Sequence, residues 1–376
     1  MLNSFLIKNF RLFEMLTIEH LGRLNLIVGR NNSGKSAFLE AVELYVSNAS
    51  TQVVINLVTN RQETWKGQPQ VENESIGINP VRHLFHNHAL PSLGDEGITL
   101  GTVNSEGEQL HIDIAAYQVG RDESGVINRK LIEKPGELPQ DLSDLEFALI
   151  TRENGKSRRI LRLDKELDRE ADIYRRNVAL LGTSQSYNVE VVPTKNMTDE
   201  RLATLWDQIN LTGLDEEAIS GLKLLDPTIT GIAFVEGTDR RLRNQRIPIV
   251  KKNGLSETLP LKSMGDGMTR LFHITVALVN ARNGILLIDE FENGLHWSVQ
   301  PKIWKTVFRL AEKLNVQVFA TTHSRDCIVS FEAAWKESEQ LGAFFRLGVS
   351  SSGNVTATPY TCETLSDAIE TDVEIR

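Results

Sequence analysis

Gly29-Arg30-Asn31-Asn32-Ser33-Gly34-Lys35-Ser36 has the residue types and spacing of a phosphate-binding loop. Gly29 and Gly34 allow the tight backbone that aims several N–H groups, those of Asn31, Asn32 and Ser33 among them, at one phosphate. Lys35 supplies a point charge for β- and γ-phosphate oxygens, and the Ser36 hydroxyl is suited to hold Mg²⁺. The flanking elements agree. Leu24 to Val28 is an apolar run of strand length, and Ala37, Phe38, Ala41, Val42 and Tyr45 recur at helical spacing. The loop therefore joins a buried strand to a helix whose positive end faces the anion. A nucleoside triphosphate, ATP, is the expected ligand.

Three later segments bear on what happens to it. Gly284 to Ile288 is an apolar strand ending in Asp289-Glu290, with Asp289 placed for Mg²⁺ and Glu290 for activating the attacking water. Ser263, Gly265 and Gly267 precede the helical run Leu271 to Val279. They form either a second anion site or an ordinary N-cap with a glycine turn. Asn315 to Thr322 is a further strand ending at His323, where a γ-phosphate sensor or a structural histidine would sit.

The order of P-loop, Ser-x-Gly-x-Gly, Ile288-Asp289-Glu290 and Thr322-His323-Ser324 resembles the ABC-type ATPase heads of RecF, SMC and OLD (overcoming lysogenization defect) proteins. Ile7-Lys8-Asn9-Phe10-Arg11 resembles their first strand. Glu290 to His296 and Val318 to Ser324 are similar above all to OLD-like and standalone AAA-type ATPases of bacterial mobile-element defence. The specific likeness covers residues 1–50 and 255–330. It implies that Ser263, Gly265 and Gly267 complete the ATP site of a second subunit in a homodimer or higher homo-oligomer. It also implies that Glu292 to Leu295 form the D-loop and that His323 is the switch histidine.

The chain departs from that pattern in places. Asp266 and Met268 stand where transporter-type ABC proteins have Gly and Gln, and only position suggests Gln109 or Gln118 for the Q-loop. Full-length OLD proteins continue into a metal-dependent Toprim nuclease, whereas residues 324–376 are expected to complete the head, with Glu370, Asp372 and Glu374 in a solvated tail. The resemblance thus implies an output supplied in trans by a nuclease or toxin effector.

Composition narrows the setting. The 376 residues, 40% hydrophobic, can fill the core of one head carrying an insertion. The two cysteines, Cys327 and Cys362, form no metal-cluster pattern and suit a reducing compartment. No run reaches membrane-spanning length, so a cytoplasmic location without membrane contact is expected. A net charge of −9 means that DNA contact would need a local patch. Arg240, Arg241, Arg243, Arg246, Lys251 and Lys252 form one basic cluster, and Lys156, Arg158 and Arg159 another, each on an expected hairpin. His83, His86 and His88 lie in a long polar stretch and read as loop residues rather than a metal site.

The expected architecture is α/β: a P-loop NTPase head of ABC type with a mixed or parallel sheet core. Residues 1–120 would form its P-loop lobe, 121–254 an α+β insertion, and 255–376 the signature, Walker B and switch lobe. Two rival functions use the same residues: an ATP-gated scaffold with little turnover, and the ATPase subunit of a transporter.

Overall fold

The computed structural model describes residues 1–64, 79–103, 105–121, 126–139, 141, 144–153, 156–164, 167, 188–237, 245–351 and 353–375. The chain opens with the hairpin of β1 (Phe5–Phe10) and β2 (Phe13–Ile18), where Phe5, Ile7, Phe10 and Phe13 are buried. β3 (Leu24–Val28) follows and is buried at every residue. It feeds α1 (Lys35–Val46), and α2 (Thr51–Asn60) comes next, capped by the Ser50 side chain accepting from the Val53 N–H. Then come β4 (Ile98–Gly101), β5 (Gln109–Arg121), β6 (Ile127–Ile132), β7 (Leu145–Glu153) and β8 (Lys156–Arg162). These five join β1 and β2 in a seven-stranded antiparallel sheet of order β2-β1-β4-β5-β7-β8, with β6 on β5.

A second sheet carries the chemistry. β9 (Val189–Val192) leads to α3 (Asp199–Thr212) and α4 (Asp215–Leu222), then to the small sheet β10 (Ile229–Glu236), β11 (Arg246–Lys252) and β12 (Leu259–Pro260). α5 (Asp266–Asn280), β13 (Ile285–Ile288), α6 (Gln300–Lys313), β14 (Gln317–Thr322) and α7 (Arg325–Trp335) continue the chain. It closes with β15 (Gly342–Val349), β16 (Val355–Tyr360) and α8 (Cys362–Glu370). The sheet order is β16-β15-β3-β14-β13-β9, parallel throughout except for the β15–β16 pair. Its inner strands are near-continuous apolar runs because both faces are covered.

The two faces feed two cores. Leu24, Leu26, Val28, Leu286 and Ile288 pack with α3 and α5 to α7. Ile27, Leu287, Phe319 and Phe345 pack with α1, α2 and the antiparallel sheet. α1 is therefore held between two sheets. Phe38 is its hinge pin, with ring centroids 5.9 Å from Phe5, 6.1 Å from Phe319 and 5.7 Å from Phe345.

The expected division of the chain changes. Residues 121–254 are not one insertion: β6 to β8 extend the antiparallel sheet, β9 is an edge strand of the parallel sheet, and α3 and α4 pack on α5. Among the described residues of this stretch, only β10 to β12 form a separate sheet, tied down where Phe234 meets Trp206 and Phe272. The reason is strand pairing, which a linear reading of composition does not reveal. Residues 342–370 add the strand pair β15–β16 to the parallel sheet and end in α8, which starts at Cys362 under a Thr361–Thr364 capping box.

Among the described residues, four members of the basic clusters have partners within the chain. Arg246 pairs with Asp207 and Lys252 with Asp226. Arg158 donates to the Asn48 carbonyl, and Arg159 faces Glu146. Arg240, Arg241, Arg243 and the Asn154-Gly155 tip lie outside the described residues.

Phe38→Ala should destabilise the chain by about 3–5 kcal/mol, the usual cost of emptying a buried phenylalanine site. Urea midpoints read this directly. A loss below about 1 kcal/mol would mean that the two sheets do not depend on this ring.

Candidate active site

The P-loop is built by close approach. A Cβ on Gly29 would lie 2.4 Å from Ser33 Oγ and 2.5 Å from the Leu347 carbonyl. Gly34, at φ 100°, is the N-cap of α1, and a Cβ there would meet Phe13 at 2.9 Å. Asn32 is left-handed at φ 64°, while Ser33 is buried beneath the loop. Lys35 Nζ donates to the carbonyls of Gly29 at 2.8 Å and Arg30 at 3.0 Å, so its charge sits over the loop. Burial lowers the Lys35 ammonium below its ordinary range, against the opposing pull of Asp289, Glu290 and Glu292.

Asp289 follows β13 and is fixed from three sides. Ser36 Oγ lies 3.1 Å from each of its carboxylate oxygens. Thr321 Oγ1, at the end of β14, donates to it at 2.7 Å, and Thr194 Oγ1, just past β9, donates at 3.0 Å. The adjacent Glu290 has the left-handed φ of 50°, uncommon for a residue with a side chain. Its N–H is held by Thr321 Oγ1 at 2.9 Å.

His323 reaches the same place from β14. Its Nδ1 lies 3.6 Å from Glu290 Oε1 and 3.3 Å from Glu292 Oε1, and its N–H donates to Glu292 Oε1 at 3.1 Å. Thr194, Thr321, Arg270 and this positioning use of Glu292 were not picked out from sequence. Thr194 carries no motif, Thr321 lies in the Val318 to Ser324 stretch without a role of its own there, and Arg270 is hidden in an apolar helix. Gln109 donates to the Thr102 carbonyl and Gln118 lies mid-strand in β5; neither lines the cleft by the P-loop.

That cleft, about 1310 Å³, is lined by Asn31, Asn32, Lys35, Ser36, Asp289 and Glu290 among others. Ser263, Gly265 and Gly267 do not line it. Ser263 sits in a 3₁₀ turn, its hydroxyl donating to the Pro260 carbonyl at 2.7 Å, and Gly265, at φ 95°, is the residue that caps α5. Of the two alternatives for this segment, a Ser263 N-cap is not the one formed, because the turn places Ser263 two residues upstream of the cap. A Cβ on Gly267 would lie 3.3 Å from the Gly294 carbonyl, so this segment abuts the Glu292 to Leu295 stretch.

The histidine stretch is ordered around other partners. His83 Nδ1 lies 3.2 Å from His88 Nδ1, whereas His86 Nδ1 is 3.0 Å from the Arg11 carbonyl. Among the described residues no three His, Cys, Asp or Glu side chains converge on a metal position. Ser36 and Asp289 instead offer two hard oxygen donors, a set that fits Mg²⁺, which retains water and phosphate oxygens as its other ligands.

A family model described as "AAA ATPase domain" matches residues 1–87, and one described as "AAA domain, putative AbiEii toxin, Type IV TA system" matches residues 249–328. The chain is 24% identical over 353 residues to a Helicobacter pylori "ATP/GTP phosphatase", covering 90% of each. Among solved structures, it is similar to the SMC head domain from Thermotoga maritima, at 15% identity and TM-score 0.46, over 96% of this chain and 98% of that one. A second is an Smc head with extended coiled coil bound to the C-terminal domain of ScpA, from Pyrococcus furiosus, at 12% identity and TM-score 0.47, over 99% of both. Sheet order and loop geometry make this an α/β P-loop NTPase. The two family matches support an ATPase of AAA type. Among the described residues no helix is long and apolar enough to cross a membrane.

Glu43 lines the cleft from α1, and burial, with Glu40 beside it, raises its carboxyl to about 7. It then holds a proton in the folded chain that it loses when unfolded above its ordinary 4.5. Its contribution is greatest at acid pH and is lost as pH rises from 4.5 towards 7. Glu43→Gln should therefore be more stable relative to the parent near pH 7.5 than near pH 5. Equal differences in urea midpoint at both pH values would contradict this.

Proposed function

We propose that the chain hydrolyses ATP with Mg²⁺ as a nucleotide-gated head dimer that senses or restrains a partner effector. The observation that carries the chemistry is the meeting of Ser36 with both Asp289 oxygens at 3.1 Å, beside Lys35 and Glu290. Oxygen donors, a phosphate-binding loop and a carboxylate are thereby gathered at one cleft mouth. Lys35 and the N–H groups of the loop neutralise and orient the phosphates. Ser36 and Asp289 would hold Mg²⁺, which supplies charge neutralisation at the β and γ oxygens when bound. Glu290 takes the proton of the attacking water, and His323, aimed at Glu290, reads the γ-phosphate. The Helicobacter pylori relative's description as a phosphatase of ATP and GTP supports hydrolysis over a scaffold that only binds.

Two observations support the dimer. Ser263, Gly265 and Gly267 lie apart from the chain's own P-loop cleft yet present backbone N–H groups at the start of α5. Their position suits the γ-phosphate held by a second copy, giving a dimer with ATP in its interface. The toxin–antitoxin wording of the family model over residues 249–328 supports coupling to an effector, a nuclease or toxin acting in trans in DNA-linked or anti-phage defence. Direct DNA contact is a weaker reading, since Arg246, Lys252 and Arg159 face acids.

Glu290→Gln should keep nucleotide affinity while slowing turnover by roughly 10²–10⁴-fold, and Lys35→Ala should abolish binding. Phosphate release and a fluorescent nucleotide measure the two separately. Parental turnover in Glu290→Gln would remove Glu290 as the base.

ATP and Mg²⁺ should also convert Glu290→Gln into a dimer by light scattering, and Ser263→Arg in that background should prevent it. A mass unchanged by nucleotide would count against gating by dimerisation. The effector reading is checked by capturing partners on the ATP-bound form from the native host. It fails if no nuclease or toxin is retained in a nucleotide-dependent way.

A further inference from the structure

We propose that Arg270 is a positioning residue for hydrolysis, whose guanidinium fixes the left-handed turn aiming Glu290 and ties that turn to the helix behind Gly265 and Gly267. The inference rests on the reading of Glu290 as the base. Arg270 lies on α5 and is 1% exposed. Its Nη2 donates to the carbonyls of Asp289 at 2.8 Å and Glu290 at 3.0 Å. Its Nη1 donates to the Pro193 carbonyl at 2.7 Å and Asn196 Oδ1 at 2.9 Å. One planar group therefore clamps the chain beyond β13 to the chain beyond β9.

Each of these hydrogen bonds ends on a neutral acceptor. Burying a cation among carbonyls is costly, and an apolar side chain would fill the same volume without that cost. The charge is useful here for another reason: backbone carbonyls beyond β9 and β13 meet at this point, beside the acids that follow β13. Asp289, Glu290 and Glu292 all act on Arg270 through space, and burial brings it down to about 10, so it stays charged at neutral pH. Only a forked donor can serve both carbonyl pairs at once; a lysine has the charge without the fork.

The clamp falls on the most constrained residue of the site. Glu290 adopts φ 50°, and each of its backbone polar groups is engaged, the N–H by Thr321 Oγ1 at 2.9 Å and the carbonyl by Arg270. Left-handed backbone at a residue with a side chain persists only where its surroundings enforce it. The same α5 is tied to the chain after β9 a second time, where the Met197 N–H donates to His273 Nδ1 at 3.2 Å. At the N-terminal end of α5, close before Arg270, Gly267 abuts the Gly294 carbonyl. Displacement of the Ser263–Gly267 segment by a partner's nucleotide is thus passed along a rigid helix to the turn that holds the base. Each site's hydrolysis becomes responsive to occupancy of the other.

Arg270→Lys tests the fork while keeping the charge. Turnover should fall about 10²-fold, as expected for a misplaced catalytic group, with nucleotide affinity changed less than about twofold. Asn196→Gly removes one acceptor while suiting the left-handed φ of 66° at that position, so it tests the clamp without a core substitution. It should slow turnover by about 3–10-fold, and the double variant should be no slower than Arg270→Lys alone, because both act through one clamp. If Arg270→Lys fails to fold, the Asn196→Gly rate alone decides. Equal losses of affinity and turnover, multiplicative effects in the double variant, or parental turnover in Asn196→Gly would each overturn the proposal. If Glu290→Gln also hydrolyses ATP normally, the hydrolysis reading fails first. If Glu290→Gln is slow while the Arg270 and Asn196 variants are not, only the clamp fails.

Discussion

The Asp289 carboxylate is where the ends of the parallel sheet converge, and the rest of the site depends on that meeting. It accepts from Ser36 at the start of α1, from Thr321 on β14 and from Thr194 beyond β9. Register explains why. Ile288 pairs with Ala320 on one side and Val192 on the other, so one residue further on Asp289 is level with Thr321, and Thr194 comes within reach. Slipping either neighbour by one residue would turn its side chains to the opposite face and leave the carboxylate without those donors. A half-buried, oriented carboxylate at the end of a strand is costly to leave without donors, which makes the register and the site mutually reinforcing.

The second constraint is the burial of α1 between two sheets. Its face toward the antiparallel sheet carries Phe38, and its cleft side carries Glu40 and Glu43. Glu40 is anchored by Arg11 at 2.5 Å and Arg61 at 2.7 Å, and Arg11 also pairs with Glu63 at 2.7 Å. Arg11 is 4% exposed and sits at φ 52° in the turn between β1 and β2. The opening hairpin is thereby locked to the helix that begins at the phosphate loop. A rigid element placed this way suits phosphoryl chemistry, in which positioning and electrostatics supply most of the catalysis.

The surface charges are arranged differently from what the linear sequence suggests. Arginines that cluster along β8 and β11 are neutralised by Glu146 on β7 and Asp207 on α3, or donate to a backbone carbonyl as Arg158 does. Such exposed or half-exposed pairs contribute little to stability. They do lower the positive potential available to a nucleic-acid backbone. The acids Asp289 and Glu290 stand instead at the P-loop cleft, while Gly265 begins a helix outside it.

The sequence by itself determined the local devices. The P-loop, the apolar strands β3, β13 and β14, the acids after β13 and the histidine after β14 are legible because each follows from short-range constraints. These are glycine geometry, apolar runs and a helix start. The tertiary structure alone decided which distant residues meet. Thr194 and Thr321 reach Asp289 only through the order β14-β13-β9, and Arg270 reaches Glu290 only because α5 packs across the ends of β9 and β13. The same holds for residues 121–254, whose strands are shared among three sheets. Strand order depends on the summed burial of whole faces rather than on any short run of residues. Nothing local in Thr194, Thr321 or Arg270 marks them, because the groups they serve lie far along the chain.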